Sequence, residues 1–418
     1  MPREGTPSAQ RGGEAKRPGS DATESRGSPR SAQRGLLCCR LVDRDPRFLA
    51  ECRALGEALK SFPTIGALRG SPQWKDLGPR LERLLSTVRR FEPAQPPLTS
   101  TRDRVLAVQW NIEHGNWYEQ VERALTTHPL LQSADIVMMN EVDLGAARAA
   151  NRDVARDLAH ALGFHGCWAP MALETTLGRD DDERMAAGRA NEEGLVGVAI
   201  LSRWPLGEAR IVELPSPENV QFDLERMYGR HVGLVVEVRR PSAPFVAVSV
   251  HLEVHRTRAD RARQMQTLMA ALRQETRPII LAGDFNSHTF NRGRWWDIFA
   301  NAGVMLTWTN RAVLSRFLYP DRGPARETLF DALREADFEW NRFNDRRPTL
   351  RVRFDRLDEA RALVTVAGGL IRWAERRSRL RLDWFAGRGW RDGNGGSVAG
   401  LDGPGKASDH APIVAEFR

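Results

Sequence analysis

The residues best suited to chemistry stand at the end of a short apolar run. Residues 278–282 have the composition of a buried strand, and Gly283 lets the backbone turn before Asp284 and Asn286. Because side chains alternate along an extended chain, these two share one face, while Phe285 points into the core. A carboxylate beside a neutral donor, at the carboxyl end of a buried strand, is where open α/β sheets place their sites. Taken alone, this tetrapeptide is better explained as a turn.

Polar groups of the same kind border four other predicted strands. Each of them, taken singly, is better explained as a cap, a turn or a surface residue. Their repetition at strand ends is hard to obtain from turn chemistry, and it indicates a shared site. A further carboxylate lies inside an apolar strand, where burial without a partner would be costly. The strand-end groups are Asn111 with Glu113, Glu141, His251, and Asp409 with His410, and the carboxylate within a strand is Asp383.

Alternating strands and helices must position these groups. Apolar runs predict strands over 104–110, 135–139, 164–168, 194–202, 231–238, 245–250, 278–282, 380–385 and 411–417. Helical periodicity predicts helices over 152–162, 257–273, 295–303 and 357–377. Residues 173–193 are polar and charged, so we expect a mobile surface loop over the site, with its acidic run 180–183 exposed to solvent.

Composition divides the 418-residue chain into three parts. Residues 1–36 are rich in Arg, Ser, Gly, Pro and Glu with almost nothing to bury, so we expect a disordered basic tail. Residues 37–101 carry two apolar stripes at helical spacing, which predict a small helical appendage followed by a linker. Residues 102–418 hold the strands and all the polar groups named above, and they form the predicted main domain.

The charge balance is compatible with a polyanionic partner but does not identify one. The net charge is +8, and the isoelectric point is about 9.9. Of the 62 basic residues only four are Lys, at positions 16, 60, 75 and 406. The excess of Arg runs through tail and core alike, which suggests a compositional bias rather than one binding face.

Membrane insertion and secretion have no support in the sequence. No apolar run approaches the ~20 residues of a transmembrane helix, and residues 1–35 contain no apolar segment typical of a secretory signal. The four cysteines show neither metal-binding nor redox spacing. We therefore expect a cytoplasmic protein with reduced thiols.

Six segments together resemble the ordered motif set of the endonuclease/exonuclease/phosphatase superfamily, whose members include pancreatic deoxyribonuclease. The resemblance covers about residues 102–418 and implies a catalytic domain there. Two features depart from the family pattern. The region between Asn286 and Asp383 is longer than in the compact members, and the segment 173–193 matches no substrate-diagnostic loop. The implied fold is α/β, a four-layered αββα sandwich of two mixed β-sheets flanked by helices. The segments are WNIE at 110–113, NE at 140–141, SVHL at 249–252, GDFN at 283–286, LDWF at 382–385 and SDH at 408–410.

The resemblance also implies a divalent-metal-dependent phosphoester hydrolase. Such chemistry needs an activated water and neutralisation of the charge that builds on the phosphoryl oxygens. Glu141 would be the principal metal ligand, helped by Glu113, with Asn111 and Asp409 nearby. Hard oxygen ligands suit Mg²⁺ or Mn²⁺ rather than Zn²⁺.

The remaining residues of the motif set would handle protons and the phosphate. His410 would be the general base or a phosphate contact, and Asp383 would fix its tautomer. Asp284 would orient or deprotonate the attacking water, Asn286 would donate to a phosphoryl oxygen, and His251 would stabilise the phosphate in the transition state. The sequence leaves open which of these groups takes the proton.

Three functions are compatible with these residues. The first is a phosphodiesterase acting on nucleic acid, and the second is the same chemistry on a phospholipid headgroup, inositol phosphate or small phosphoester. The third is a non-catalytic binding protein on this fold, which the intact polar set argues against. We expect a monomer whose partner is a phosphoester substrate, and the sequence indicates no protein partner. The other histidines are interpreted as surface or structural residues, although His114 and His288 lie close enough to motif residues to reach the site.

Overall fold

The strands are short runs of aliphatic and β-branched residues, and most are buried on both faces. The computed structural model describes residues 45–94, 102–178, 181–216, 222–223, 226–288, 307–324, 326–351, 379–403 and 405–418. In chain order its strands are β1 (Arg89–Phe91), β2 (Val105–Asn111), β3 (Ile136–Leu144), β4 (His165–Glu174), β5 (Leu195–Ser202), β6 (Leu206–Leu214), β7 (Met227–Gly229), β8 (His231–Val238), β9 (Phe245–His251), β10 (Ile279–Asp284), β11 (Leu350–Arg351), β12 (Arg379–Leu380), β13 (Asp383–Arg388), β14 (Gly393–Ser397) and β15 (Ile413–Phe417).

The strands of the described chain form two large mixed sheets. The larger sheet has the order β1-β4-β5-β3-β2-β15-β14, with β7 paired to β4. Its β2 and β3 are parallel, and β15 is antiparallel to β2. The smaller sheet has the order β13-β10-β9-β8-β6, in which β10 is parallel to β9 and antiparallel to β13. A short ribbon of β11 and β12 lies apart from both.

Helices cover the outer face of each sheet. They are α1 (Pro46–Lys60), α2 (Ile65–Arg69), α3 (Trp74–Leu85), α4 (Tyr118–Thr127), α5 (Val154–Leu162), α6 (Asp181–Ala186), α7 (Arg258–Ala271), α8 (Asn310–Leu318) and α9 (Leu329–Glu335). Side chains of α1, α3, α4 and α5 pack on the larger sheet, and those of α7 and α9 pack on the smaller one. Among the described residues, no helix combines the length and apolar character that crossing a bilayer requires.

A third apolar core lies between the two sheets. Alternation along β2 sends Ala107 into this core and Val108 to the helical side. Leu234 and Val236 of β8 enter the same core from the facing sheet. The layers are therefore helix, sheet, sheet and helix, which confirms the four-layered sandwich implied by the resemblance.

The amino-terminal helices are built into the larger sheet's outer layer. Asp45 caps α1 by accepting a hydrogen bond from the amide of Arg47, and the buried side of α1 carries Leu55 and Leu59. Residues 45–418 form one compact unit, and β1 pairs with β4. The functional division at residue 102 stays a prediction, and the expected tail 1–36 lies outside the described residues.

Several elements differ from the sequence expectation. The run 380–385 is not one strand, because Thr349 Oγ1 accepts hydrogen bonds from the amides of Leu382 and Asp383 and the chain changes sheets there. The glycine-rich stretch before residue 408 contains β14, where a Cβ on Gly395 would lie 2.1 Å from the carbonyl oxygen of Phe343. Residues 173–193 begin as the end of β4 and contain α6, so the prediction of a loop is wrong for those parts. The predicted helices 295–303 and 357–377 lie outside the described residues.

Candidate active site

One row of residues across the smaller sheet brings three of the predicted groups side by side. In the strand register, Asp284 at the end of β10 is opposite His251 of β9 on one side and Asp383 of β13 on the other. The two aspartates are buried, with exposed fractions of 2% and 0%. Neighbouring strands thus place two carboxylates next to each other in a position that bulk water hardly reaches.

His410 completes this row from the chain segment that leads into β15. Its Nδ1 lies 2.8 Å from Asp383 Oδ2, and its Nε2 lies 3.8 Å from Asp284 Oδ2. Burial lowers the pKa of His410, but the charge and hydrogen bond of Asp383 outweigh burial, so the pKa lies well above its ordinary value. The pair matches the expected one, with the imidazole oriented through Nδ1 and with Nε2 facing Asp284.

Asp284 is held by backbone and amide donors. Its Oδ1 accepts from the amide of Asn286 at 2.9 Å, and its Oδ2 accepts from Asn111 Nδ2 at 3.3 Å. Burial, followed by the charge of Asp383, raises the pKa of Asp284. The other oxygen of Asp383, Oδ1, has no hydrogen-bond partner among the described residues. One oxygen of this pair of carboxylates is therefore left without a hydrogen bond.

Glu141 faces this row from the larger sheet. It lies at a register shift in β3 and has a positive φ of 52°, an uncommon conformation for a residue other than glycine. Asn111 Nδ2 donates to Glu141 Oε1 at 2.8 Å, and His251 Nε2 lies 4.0 Å from the same oxygen. Burial raises the pKa of Glu141, but His114 and His251 outweigh it and leave the pKa below its ordinary value. The bulge thus turns an ionised carboxylate toward the residues of the smaller sheet.

His114 is a part of this site that sequence reasoning only noted as close by. Its Nε2 lies 3.4 Å from Glu141 Oε2, and its Nδ1 lies 3.1 Å from Asp143 Oδ1. Burial and the charge of Arg148 lower its pKa, but Asp143 and Glu141 outweigh them and raise it to about 10. Asp143 stands between Val142 and Leu144, and this carboxylate in an apolar run is the signal that could have revealed the pair.

Four other predicted residues occupy less direct positions. Glu113 Oε2 accepts a hydrogen bond from the amide of Asp409 at 2.9 Å, and neither residue lines the cavity described below. Asn286 lines it, and Asn286 Nδ2 donates to the carbonyl of Leu252 at 2.8 Å. Asn111 is buried between Glu141 and Asp284 and donates to both.

Most of the site residues described above line one cavity of about 470 Å³, a size usual for a small-molecule site. One part of its lining is polar and consists of Glu141, Asp284, Asn286 and the histidines 114, 231, 251, 255, 288 and 410. The other part is apolar and consists of Met171, Ala172, Val196, Met227, Leu252, Val254, Leu350, Leu380 and Leu382. Within the described chain, no lysine or arginine lines this cavity.

The donor set fits a hard divalent cation. Carboxylates of Glu141 and Asp284 line the cavity, and beside Asp284 the second oxygen of buried Asp383 has no hydrogen-bond partner among the described residues. Asp284, Asp383 and His410 also form a compact buried group of potential ligands. Because His410 Nδ1 is engaged by Asp383, we interpret that group as a hydrogen-bonded relay, and the partly exposed Glu141 as the better ligand.

The arrangement of the motifs along the chain agrees with a known family. Residues 108–410, which are more than half of the chain, match the model of the Endonuclease/Exonuclease/phosphatase family. The chain belongs to this family. Its members are in general hydrolases of phosphoesters.

Solved structures of the endonuclease/exonuclease/phosphatase family resemble the chain at low identity. The protein from Beutenbergia cavernae is 18% identical, with 76% of this chain and 72% of that one covered and a TM-score of 0.44. The protein from Leptotrichia buccalis is 13% identical, with 75% and 99% covered and a TM-score of 0.45. Sphingomyelinase C from Streptomyces griseocarneus is 13% identical, with 76% and 100% covered and a TM-score of 0.42. No match was found among curated protein sequences.

Proposed function

We propose that this family member is a divalent-metal-dependent phosphodiesterase, with nucleic acid as the first candidate substrate. The observation that carries the proposal is the convergence of Glu141, Asp284, His251 and His410, from both sheets, on one cavity. These residues are spread over some 270 positions of the chain (141 to 410). A fold that only needed stability would not gather ionisable groups in a place where their burial is unfavourable.

Glu141 is the proposed principal ligand of Mg²⁺ or Mn²⁺, with Asn111 beside it and Glu113 and Asp409 as supporting residues. When bound, the cation supplies positive charge that stabilises the negative charge developing on the phosphoryl group. Asn111 already holds Glu141 Oε1 and Asp284 Oδ2 through one amide nitrogen, so it fixes the spacing of these two carboxylates.

His410 and Asp284 are proposed to handle the proton of the attacking water. Asp383 holds His410 Nδ1, so the imidazole presents Nε2 toward Asp284 and the cavity. Burial raises the pKa of Asp284, so its carboxylate accepts a proton more readily than an ordinary one, and Asp383 raises the pKa of His410, which favours an imidazolium that can donate a proton or contact a phosphoryl oxygen. His251, 3.7 Å from Asp284 Oδ2, is placed to contact a phosphoryl oxygen, and Asn286 borders the same space.

Two observations point to different substrates. The net charge of +8 favours a polyanion such as nucleic acid. The apolar side of the cavity and the absence of basic side chains among its described lining favour a small phosphoester with an apolar substituent. The second candidate is therefore the same hydrolysis on such an ester, including one in a lipid headgroup.

The test is hydrolysis of bis(p-nitrophenyl) phosphate by the purified full-length chain with and without Mg²⁺ or Mn²⁺. We expect metal-dependent turnover that falls by about 10³-fold in His410→Ala and in Glu141→Gln, because general acid–base groups and oxyanion stabilisation each contribute on this scale. Arg263→Ala, an exposed residue of α7 outside the cavity, is the matched control and should keep full turnover. Unchanged turnover in either site variant, with the fold intact by circular dichroism, would overturn the proposal.

A panel of substrates separates the two candidates. Plasmid DNA, RNA, a lipid phosphodiester in micelles and a small alkyl phosphodiester are offered under identical conditions. Val196→Glu places a charge on the apolar lining and should raise KM for alkyl esters far more than for nucleic acid. Equal efficiency on all substrates in both proteins would remove the apolar lining as a determinant of specificity.

A further inference from the structure

The orientation of Glu141 depends on support from outside its own strand. Its backbone leaves regular β geometry at the bulge, with φ at 52°, so pleating does not dictate where the side chain points. Asn111 contacts one carboxylate oxygen, and His114 contacts the other. His114 itself has a φ of 64°, another conformation that the surroundings must maintain.

His114 is in turn fixed by a carboxylate and an arginine. Asp143 Oδ1 lies 3.1 Å from His114 Nδ1, and the guanidinium of Arg148 grips Asp143 through Nε at 2.7 Å and Nη2 at 3.2 Å. Such a two-point contact between planar groups fixes the plane of the carboxylate as well as its position. A continuous series of contacts thus runs from Arg148 through Asp143 and His114 to Glu141.

Arg148 is itself held on its remaining sides. Its Nη2 lies 2.7 Å from Glu174 Oε2, and its Nη1 lies 3.2 Å from Asp182 Oδ2. The side chain is 3% exposed, so one buried cation faces three carboxylates. A well-packed apolar group is often as stabilising as a buried ion pair, so stability alone does not account for this arrangement.

Anchoring of the segment around α6 is the competing explanation. Asp182 lies in α6 and also accepts a hydrogen bond from Asn116 Nδ2 at 2.9 Å. If Arg148 served only to hold this segment, cutting the contact to Asp182 would have the same effect as removing Arg148. The two explanations therefore predict different metal affinities for a variant at Asp143 and a variant at Asp182, which contact Arg148 from different sides.

We propose that Arg148 is a positioning residue that sets the orientation of Glu141 through Asp143 and His114, and with it the affinity of the site for a divalent cation. The inference rests on the proposed function. Residues that orient a metal ligand typically change metal affinity by ~10–100-fold when they are removed. The contact series ends at Glu141 Oε2, so its effect belongs to metal binding rather than to proton transfer at His410.

The experiment measures the Kd of Mn²⁺ by isothermal titration calorimetry at one fixed pH, together with the melting temperature of each full-length protein. We expect Asp143→Asn and Arg148→Met to raise Kd by ~10–100-fold, and Arg148→Lys to raise it less because it keeps the charge but loses the planar fork. Asp182→Asn should bind Mn²⁺ as the parent does.

Asp135→Asn is the matched control for a lost buried ion pair. Asp135 precedes the opposite end of β3, is fully buried and pairs with Arg203 at 3.2 Å. The substitution Asp135→Asn should lower the melting temperature without changing the Kd of Mn²⁺. If Arg148→Met fails to fold, His114→Ala, at a side chain that is 19% exposed, tests the same series and should weaken binding similarly.

The outcomes separate the two proposals. A parent protein that binds no Mn²⁺ overturns the metal-dependent function and this inference with it. A parent that binds, with Asp143→Asn and His114→Ala within about twofold of it, overturns the positioning role alone. Equal loss in Asp182→Asn and Arg148→Met also overturns it, because anchoring of the α6 segment would then suffice.

Discussion

Two buried carboxylate–histidine pairs each contribute a histidine to the lining of the same cavity. Asp383 lies 2.8 Å from His410, and Asp143 lies 3.1 Å from His114, and both carboxylates are fully buried. Their surroundings differ. Arg148 contacts both oxygens of Asp143, whereas the second oxygen of Asp383 has no partner among the described residues.

The difference separates a scaffold from reacting groups. Where Arg148 contacts both oxygens of the carboxylate, the position and plane of that carboxylate are fixed. Where the carboxylate faces Asp284 instead, both neighbouring groups have raised pKa values and the energy of the site depends on which one carries a proton. Under the proposed function, the His410 side would take part in proton transfer, and the His114 side would hold the metal ligand Glu141 in place.

The largest expected effect comes from replacing Asp383. Asp383→Asn should lower kcat by about 10²–10⁴-fold, because it removes the group that orients the His410 imidazole. It should also lower the melting temperature, because the charge that raises the pKa of His410 is lost. Asp143→Asn should lower the melting temperature too, because it removes one of the three carboxylates that face Arg148, but at saturating Mn²⁺ it should lower kcat much less. Turnover at saturating Mn²⁺ and thermal unfolding of both variants check this contrast, and an equal loss of kcat would contradict it.

The pH profile sharpens the same prediction. Asp383 raises the pKa of His410, so His410 should titrate at a lower pH in Asp383→Asn than in the parent protein. The measurement is the pH at which kcat changes because His410 gains or loses its proton. A pH that stays the same in the variant would show that Asp383 does not control the proton on His410.

A smaller effect is expected on stability at Asp284. The pKa of Asp284 is raised in the folded protein, so protonation of this group favours folding, and its full contribution is present below pH 3.8, the ordinary pKa. The contribution is lost as the pH rises through the pKa that the group has in the folded protein. At a pH above its ordinary value, the raised pKa makes this group unfavourable for folding. Asp284→Asn should therefore raise the melting temperature at pH 8 by about 2 °C, the result of ~1 kcal/mol in a domain of this size.

That gain should disappear as the pH falls, because the parent Asp284 is then protonated as well. Thermal scans of both proteins from pH 3.5 to pH 8 test the sign. A variant that is less stable than the parent at pH 8 would show that the carboxylate is not under repulsion from Asp383.

The smallest effect is expected for Glu113. Its carboxylate is engaged by the amide of Asp409 and does not line the cavity. Glu113→Gln keeps an oxygen that can accept this hydrogen bond, so kcat and the Kd of Mn²⁺ should change by no more than about threefold. A loss near that of Glu141→Gln would instead place Glu113 among the direct ligands.

The sequence made one side of the cavity predictable. His251, Asp284 and Asp383 follow or interrupt apolar runs, and neighbouring strands carry such residues into one row without any special backbone conformation. Most of the strands were also predictable, because they are apolar runs buried on both faces, whereas the four-layered arrangement was implied by the resemblance to the family.

The other side was not predictable for local physical reasons. Glu141 and His114 have positive φ values that no propensity indicates, and they point where a regular strand would not. Arg148 binds Glu174 and Asp182, which are 26 and 34 positions away along the chain, so the acidic run expected to face solvent contributes a partly buried partner, Asp182. Strand β14 was missed because its glycines lack the side chains that mark a strand, and only the close approach of Phe343 explains them.

The place of β15 in the larger sheet has a consequence for biosynthesis. Strand β15 pairs directly with β2, although more than 300 residues separate them along the chain, and Trp110 Nε1 donates to the carbonyl of His410 at 2.9 Å. A ribosome-bound chain that has not yet emerged past residue 410 leaves β2 without this neighbour and the cavity without its imidazole. Under the proposed function, hydrolysis of phosphoesters by the nascent polypeptide would thus be deferred until residues 410–417 have been translated.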